Sequence, residues 1–496
     1  MPARTKLHRS KASAREKMSA VDTAWLRMDR PYNRMVICGV LIFDRPVARK
    51  RLAAVVTERF LRFERFRCIP TEDAAGASWR VDPDFALSRQ LEHHALPRGS
   101  GRDALARFVS SLVDRPLPAD RPAWQFHLVD HVGGGSALVV RIHHSYADGI
   151  ALVRVMLAMT DAARDGPPAM PFDAPSGKRT VRKRRASDDP LAAVLDTAMR
   201  IGGTIVDKGA ELWSDPSKAA ALASKGGEIA AEIAHLALMG EDAATRFKGK
   251  PGIRKGVAWA RPLPLDELKA IGRAHGASIN DVVMTTVAAA LSRYLRDMGD
   301  DVAGQTIRAL VPVNLRPLER ACDLGNEFGL VFVELPLGID DPVARLAAVH
   351  AGMRALKKSV QPALALGLIA AMGSGPRLLQ EALLAILARN ASAVLTNVPG
   401  PPKPLYLAGA RIDDLMFWVP QSGDIGLGLS VISYNGGVQF GVIADRGFCP
   451  DPARIAAHFA DAFEDLVLAT LMTRWPRERP LAPGETAATV ARIAVG

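Results

Sequence analysis

The sequence predicts an α+β protein of two domains, from its length, its composition and its mixture of strand-like and helical apolar patterns. Its 496 residues are too many for one ordinary hydrophobic core, and chains of this length usually fold as two domains of about 150–250 residues each. Apolar residues make up 48% and charged residues 23%, which is typical of a folded globular protein and argues against disorder over most of the chain.

Three strand-like runs predict a sheet in the first half, at residues 35–43, 124–132 and 136–143. The last two runs are joined by Gly133, Gly134 and Gly135, which indicates a hairpin.

The second half has clear helix boundaries. One helix is expected from Asp266 to Gly276, and the next from Ser278, with Asp281 as its capping-box partner. A final helix is expected to begin at Asp451-Pro452, since proline suits the first helical position. Strand-like runs are expected between these helices, at residues 307–313, 330–335, 425–433 and 438–444.

A long connection is predicted between the halves, because residues 166–255 open with proline and glycine and contain few aromatic residues. Six of the eight residues in Lys178–Arg185 are basic. That run would either contact anionic lipid or form a solvated linker. The expected segments are a basic tail 1–17, an N-terminal domain 18–165, this arm 166–255, a C-terminal domain 256–475 and a polar tail 476–496.

The net charge of +12 favours anionic partners, namely nucleic acid, an acidic membrane surface or a polyanionic co-substrate. Nucleic acid is not expected, because no nucleic-acid-binding motif accompanies the basic run.

The four cysteines are far apart, which predicts neither a zinc site nor disulfides and favours a reducing compartment. The N-terminus does not fit a secretory signal, and the uncharged stretch 359–376 is interrupted by proline and glycine, so a soluble or peripherally membrane-bound protein is expected.

A histidine motif follows the run 137–142, with His143, His144, Asp148 and Gly149 at fixed offsets. Neighbouring strand residues point to opposite faces, so the two histidines are expected to do different work and not to ligate one metal together. A histidine at a cleft is a natural general base, able to take the proton of a hydroxyl that attacks a thioester. Asp148 would accept hydrogen bonds near the turn or pair with an arginine, and Gly149 would supply backbone freedom. The alternative is that both histidines are ordinary core residues.

The pattern HHxxxDG resembles the signature of the chloramphenicol-acetyltransferase-like superfamily. Further motifs in the same order make residues 18–471 resemble the bacterial wax ester synthase/diacylglycerol acyltransferase family. In one of them Ala123 replaces the usual leucine, which leaves the pocket size at that point open. The supporting motifs are residues 19–25, 121–124, 280–281, 312–316, 325–326, 397–401 and 433–436.

The resemblance implies two pseudo-symmetric chloramphenicol-acetyltransferase-like domains with a central channel between them, in which His144 is the general base and His143 and Asp148 hold the geometry. Fatty acyl-CoA would be the co-substrate, with no permanent cofactor and no metal. The acceptor would be diacylglycerol, giving triacylglycerol, or a long-chain fatty alcohol, giving a wax ester. The expected location is cytoplasmic, in peripheral contact with the inner membrane face or lipid inclusions.

Two other functions stay open: the same chemistry on a non-lipid acceptor, and a non-catalytic lipid- or membrane-binding protein of this fold.

Asn280 would donate to the oxyanion, or Ser278, Asn280 and Asp281 would merely cap a helix. The apolar segments 364–372 and 378–387 would be core helices, or a tunnel wall or membrane-facing patch. The expected substrate-binding residues are Asp281, Trp124, Thr396, Asn397, Gln421 and Ser422, with a purely structural loop as the alternative for 397–401.

Overall fold

The structure, a computed structural model, describes residues 15–73, 76–169, 239–314, 328–356 and 377–473. Several expectations fall outside the described residues: the basic run Lys178–Arg185, the apolar segment 364–372, residues 315–316 and 325–326 of the middle motifs, and most of both tails.

The first domain is built on a six-stranded sheet whose central strands are apolar and buried on both faces. A small three-stranded sheet lies beside it, made of β1 (Glu16–Lys17), β4 (Gly76–Val81) and β3 (Cys68–Asp73). In spatial order the large sheet contains β13 (Tyr406–Leu407), β14 (Ala410–Trp418), β2 (Val36–Phe43), β7 (Gly135–His143), β6 (Trp124–Val132) and β5 (Leu91–Ser100).

The second domain is built on a seven-stranded sheet with its own hydrophobic core. In spatial order it contains β11 (Phe328–Pro336), β10 (Thr306–Asn314), β12 (Ala393–Val398), β15 (Leu427–Tyr434), β16 (Gly437–Asp445) and β8 (Lys255–Trp259), with β9 (Leu263–Pro264) also paired to β16.

Nine α-helices are present among the described residues, and the predicted caps are confirmed where local chemistry specifies them. Gly276 ends one helix at φ 65°, in the left-handed conformation that favours glycine. Ser278 and Asp281 form the predicted capping box. The helices are α1 (Ala20–Met28), α2 (Arg49–Glu58), α3 (Arg102–Val113), α4 (Gly149–Met159), α5 (Leu265–His275), α6 (Ile279–Asp297), α7 (Pro342–Leu356), α8 (Arg377–Arg389) and α9 (Pro452–Met472).

The two domains repeat one arrangement. In the first, the antiparallel hairpin β6–β7 has parallel β5 beside β6 and antiparallel β2 beside β7. In the second, the hairpin β15–β16 has parallel β12 beside β15 and antiparallel β8 beside β16. Each hairpin is followed by a helix with an aspartate at its N-cap, Asp148 for α4 and Asp451 for α9. This repetition confirms the predicted pseudo-symmetric two-domain architecture.

The predicted domain boundaries need two corrections. Strands β13 and β14 lie in the C-terminal half of the chain, yet they complete the sheet of the first domain, where β14 pairs with β2. The end of the expected arm belongs to the second domain, because Phe247 is 1% exposed in its core. Asp242 fixes the same segment by accepting hydrogen bonds from the backbone of Arg308 and the hydroxyl of Ser392.

Candidate active site

The two histidines of the motif lie where β7 ends, before the turn into α4. The backbone N–H of His143 donates to the carbonyl of Ala123 at 2.9 Å, and that of His144 donates to the carbonyl of Met35 at 2.7 Å. Ala123 directly precedes β6, and Met35 directly precedes β2. The neighbouring strands on both sides therefore hold the backbone of the motif.

The ring of His143 braces the turn. Its Nδ1 accepts a hydrogen bond from the backbone N–H of Ser145 at 3.2 Å and lies 2.9 Å from the Ser145 hydroxyl. Burial lowers the pKa of His143 to about 4, and Arg34 adds to this effect while Asp29 opposes it. His143 is therefore neutral at pH 7, with Nδ1 acting as an acceptor.

The ring of His144 has a different environment, as alternation along an extended chain predicts. It stacks on the indole of Trp25 in α1, with ring centroids 4.0 Å apart and planes 17° apart. Trp25 belongs to an apolar cluster that includes Met35 of the first domain and Leu384 of α8 in the second. His144 is therefore placed beside the boundary between the domains, next to an apolar surface that both supply.

Polar contacts fasten α1 and the loop after it to the second domain. The Gln380 amide in α8 donates to the carbonyl of Ala24 at 3.1 Å. The Asn33 amide, 1% exposed, donates to the carbonyls of Gly423 at 2.6 Å and Ile425 at 3.0 Å. Because these groups are buried, losing either partner would leave an unsatisfied polar group, so the position of Trp25 under His144 is well determined.

Asp148 and Gly149 have separate roles in the turn. Asp148 is the N-cap of α4, where its Oδ1 accepts from the backbone N–H of Ala151 at 2.8 Å, which confirms the expected acceptor role. The expected backbone freedom of Gly149 is not used, because it is the first residue of the helix and does not have a positive φ. A Cβ at Gly149 would meet nothing within 4 Å, so the glycine leaves open space at the start of α4.

Asn280 and Asn397, predicted from separate motifs, are in contact. The Asn397 amide donates to Oδ1 of Asn280 at 2.8 Å, which joins the first turn of α6 to the end of β12. The capping box uses Ser278 and Asp281, and the side chain of Asn280 is exposed. Since Oδ1 of Asn280 is occupied, its NH₂ group is oriented away from Asn397 and is the part of the side chain that can donate elsewhere.

Asp281 does not fit the expected substrate-binding role. It is 1% exposed, and its Oδ2 accepts from the backbone N–H of Ser278 and lies 2.8 Å from Nδ1 of His350 in α7. The carboxylate therefore caps α6 and ties it to α7, which is the structural alternative that the sequence left open.

The family relationship follows from two regions of the chain taken together. The profile of the wax ester synthase/diacylglycerol acyltransferase catalytic domain matches residues 18–283, and the profile of the WS/DGAT C-terminal domain matches residues 324–467. The chain belongs to the wax ester synthase/diacylglycerol acyltransferase family. This confirms the family that the ordered motifs predicted, and with it an acyltransferase.

Similar proteins span nearly the same length. A probable diacylglycerol O-acyltransferase of Mycobacterium tuberculosis is 27% identical over 424 residues, covering 84% of this chain and 86% of the relative. A second from the same species is 27% identical over 463 residues, covering 90% and 97%. The solved structure of the wax ester synthase/diacylglycerol acyltransferase from Marinobacter aquaeolei VT8 is 22% identical, covers 92% of this chain and all of that one, and superposes with a TM-score of 0.66.

Condensation domains of peptide synthetases share the fold at lower similarity. The starter condensation domain of rhizomide synthetase, solved with C8-CoA and Leu-SNAC, is 13% identical, covers 93% of this chain and 96% of that one, and has a TM-score of 0.55. This likeness confirms the predicted chloramphenicol-acetyltransferase-like fold of the family.

Trp124, expected to bind substrate, lies in the core of the first domain. It is fully buried, its Nε1 donates to the carbonyl of Phe66 at 2.8 Å, and its ring packs edge-on against Phe60 at 4.8 Å. The sequence could not show this, because the direction of a side chain on a strand depends on register and on what covers each face.

Gln421 lines a small, narrow cleft between the domains. Its amide donates to the carbonyl of Ile443 in β16 at 2.9 Å, and Cys38 of β2 also lines the cleft. His144 is not part of this lining, so the cleft is a feature of the interdomain boundary separate from the motif. Ser422 is half-buried next to Gln421, and Thr396 is 9% exposed within β12.

Trp25 is the residue at this site that sequence reasoning did not single out. It stood only within the opening motif of residues 19–25, and nothing local indicates that α1 returns to cover a histidine more than a hundred residues away. A tryptophan in a short amphipathic helix is more often a core residue, and only tertiary contact reveals the stack.

His143 predicts an acid-sensitive component of stability. Its folded pKa of about 4 lies below the ordinary 6.5, so the unfolded chain takes up the proton first as the pH falls. The stabilisation is complete above pH 6.5 and is lost between pH 6.5 and 4. At pH 5 the free energy of unfolding is expected to be about 2 kcal/mol lower than at neutral pH because of this group. Urea unfolding at pH 7.5 and pH 5 measures it. His143→Asn should flatten this slope; an equal slope in the wild type and in His143→Asn would contradict the assignment.

Proposed function

We propose that this chain transfers a fatty acyl group from acyl-CoA directly to the hydroxyl of diacylglycerol or of a long-chain alcohol, with His144 as the general base. One observation carries the assignment of the base: the His144 ring stacks on Trp25 beside an apolar cluster shared by both domains. A lipid hydroxyl and an acyl chain would each find apolar surface there, next to an imidazole.

The reaction needs no nucleophile from the protein. A ring nitrogen of His144 accepts the proton of the acceptor hydroxyl while the hydroxyl oxygen attacks the thioester carbonyl carbon. The tetrahedral intermediate then collapses with cleavage of the C–S bond, and the imidazolium returns the proton to the departing CoA sulfur. The products are the ester and CoA with a free thiol, and His144 is neutral again.

Asn280 is proposed to stabilise the negative charge that develops on the carbonyl oxygen. Asn397 holds its Oδ1, which leaves the NH₂ group as the donor, and a preorganised donor of this kind contributes several kcal/mol in other enzymes. Gly149 is proposed to leave room for substrate at the start of α4. Thr396, Gln421 and Ser422 remain proposed contacts for the substrates.

The substrate class rests on the family and on charge. The curated relatives described above are named diacylglycerol O-acyltransferases, and the related fold of the rhizomide synthetase domain was solved with C8-CoA. The net charge of +12 suits the phosphates of CoA. These features favour acyl-CoA with a lipid hydroxyl over a non-lipid acceptor.

Product analysis tests the substrate class. Purified protein is incubated with radiolabelled palmitoyl-CoA and diacylglycerol, hexadecanol, a water-soluble amine or no acceptor, and the labelled products are separated. Labelled triacylglycerol or wax ester is expected, with little product from the amine. Product from the amine alone would favour the non-lipid alternative, and the absence of any ester would reject the proposal.

Peripheral contact with a lipid surface is proposed as well. Within the described ranges no helix is long and apolar enough to cross a membrane. The last turns of α9 expose Leu468 by 58%, Leu471 by 65% and Met472 by 86%. Large apolar side chains grouped at a helix end favour an interfacial location. Flotation with anionic vesicles should recover the wild type and less of the Leu471→Glu/Met472→Glu variant; equal recovery would contradict the contact.

A further inference from the structure

Two adjacent strands of the first domain bring a glutamate and two histidines together away from the HHxxxDG motif. Glu92 and His94 are alternate residues of β5 and so share one face of the sheet. His127 on β6 is the direct neighbour of Glu92 in the parallel pairing. The three side chains therefore converge because of strand register, and no short sequence motif announces them.

The three potential ligand atoms form an almost equilateral triangle. Nε2 of His94 lies 3.2 Å from Nδ1 of His127, and Oε2 of Glu92 lies 3.2 Å from the first nitrogen and 3.3 Å from the second. A tetrahedral zinc ion with bonds of about 2.0 Å holds its ligand atoms about 3.3 Å apart. The observed spacing therefore matches one face of a tetrahedral coordination sphere.

Hydrogen bonds alone do not account for this triangle. A neutral imidazole offers one N–H and an ionised carboxylate offers none. If both rings donate to Glu92, the two N–H groups face each other at 3.2 Å; if His94 donates to His127, the lone pairs of His127 and Glu92 face each other. One edge is repulsive in either case, whereas a cation inside the triangle would attract a lone pair of each of the three atoms.

The surroundings orient Glu92 and leave a route from solvent. The Gln125 amide donates to the other carboxylate oxygen of Glu92 at 3.2 Å, and Gln125 in turn accepts from Arg141 at 3.1 Å. Such hydrogen-bonded partners fix ligand geometry in metal sites. The side chains of Glu92 and His94 are 42% and 32% exposed, while that of His127 is 2% exposed. An ion would thus be bound by the buried His127 on one side, and its free coordination position would face water.

We infer that Glu92, His94 and His127 form a divalent transition-metal site that prefers Zn²⁺, with water as the fourth ligand. Two imidazoles and one carboxylate are a common zinc ligand set. The ion would join the edge strand β5 to β6, and the Gln125–Arg141 contact would link it to β7, the strand that ends in the histidine motif. The inference is independent of the proposed acyl transfer.

Zinc binding to the tag-free, chelator-treated full chain tests the site, with the neighbouring His93 as a matched control. His93 lies on the opposite face of β5 and contacts Asp130 at 2.7 Å, so His93→Ala removes a histidine without touching the triangle. Equilibrium dialysis should give one Zn²⁺ per wild-type chain and per His93→Ala chain. His94→Ala and Glu92→Gln should weaken binding by at least about tenfold.

Thermal unfolding supplies a second readout on the same partly exposed positions, which avoids replacing the buried His127. Zinc should raise the unfolding midpoint of the wild type and of His93→Ala but not that of Glu92→Gln. The inference is overturned if the wild type binds no zinc, or if His94→Ala and Glu92→Gln bind it as tightly as His93→Ala does.

Discussion

Replacing His144 with alanine is expected to lower the rate of acyl transfer by about 10²–10⁴-fold, the usual contribution of a general base. His143 is a poor substitute for the missing imidazole, because its ring is braced by Ser145 and burial keeps its pKa near 4. The rate constant for acyl transfer at saturating palmitoyl-CoA, measured by ester formation, reports the loss.

The loss of acyl-transfer activity must be separated from a loss of stability, since the His144 ring also stacks on Trp25. His144→Gln keeps most of the bulk but carries no group that titrates near neutral pH, so it should be as inactive as alanine and melt closer to the wild type. The thermal midpoint of each variant and its binding of palmitoyl-CoA are the controls. Substantial ester formation by a folded His144→Gln enzyme would contradict the role of base.

Replacing Trp124 with alanine is expected to lower the free energy of unfolding by about 3–5 kcal/mol, the range for truncating a buried aromatic side chain. The indole is fully buried, packs on Phe60 and Phe126, and donates to the carbonyl of Phe66. Removing it leaves a cavity and an unpaired carbonyl. Urea unfolding followed by circular dichroism gives the difference.

Trp124→Phe is the matched variant, because it retains an aromatic ring and removes the Nε1 donor. It should cost less than the alanine variant, with about 1 kcal/mol assigned to the lost hydrogen bond. Both enzymes should keep the wild-type KM for palmitoyl-CoA at temperatures where they are folded. Unchanged stability with a raised KM would instead restore the substrate-binding role that the sequence suggested.

Elements with local chemical signals could be predicted from the sequence. Gly276 must end a helix because it adopts the left-handed conformation, and Ser278 begins the next through its own hydroxyl. Asn435 and Gly436 both have positive φ in the tight turn between β15 and β16, which is why that dipeptide predicts a hairpin. In each case the interaction lies within a few residues of the signal.

Long-range pairing was beyond the reach of local patterns. Nothing in residues 406–418 shows that they leave the second domain to extend the sheet of the first, because an apolar strand can pair with any compatible edge. The same limit applies to the triangle of Glu92, His94 and His127, which exists only once β5 pairs in parallel with β6. Such contacts depend on register, and register is a property of the assembled sheet.

The candidate site was predicted in part for the same reason. The turn containing Asp148 and the separate environments of His143 and His144 follow from strand alternation and helix capping. The stack of Trp25 on His144 and the contact of His350 with Asp281 join residues far apart in sequence, so composition and spacing could not indicate them.

Acceptor-dependent release of CoA thiol from palmitoyl-CoA tests the central claim most directly, with wild type and His144→Ala measured side by side. Wild-type release is expected to rise when diacylglycerol or hexadecanol is added and to match ester formation one for one, while His144→Ala shows neither. Acceptor-independent release, or equal release by the two proteins, would contradict direct transfer to a lipid hydroxyl with His144 as the base.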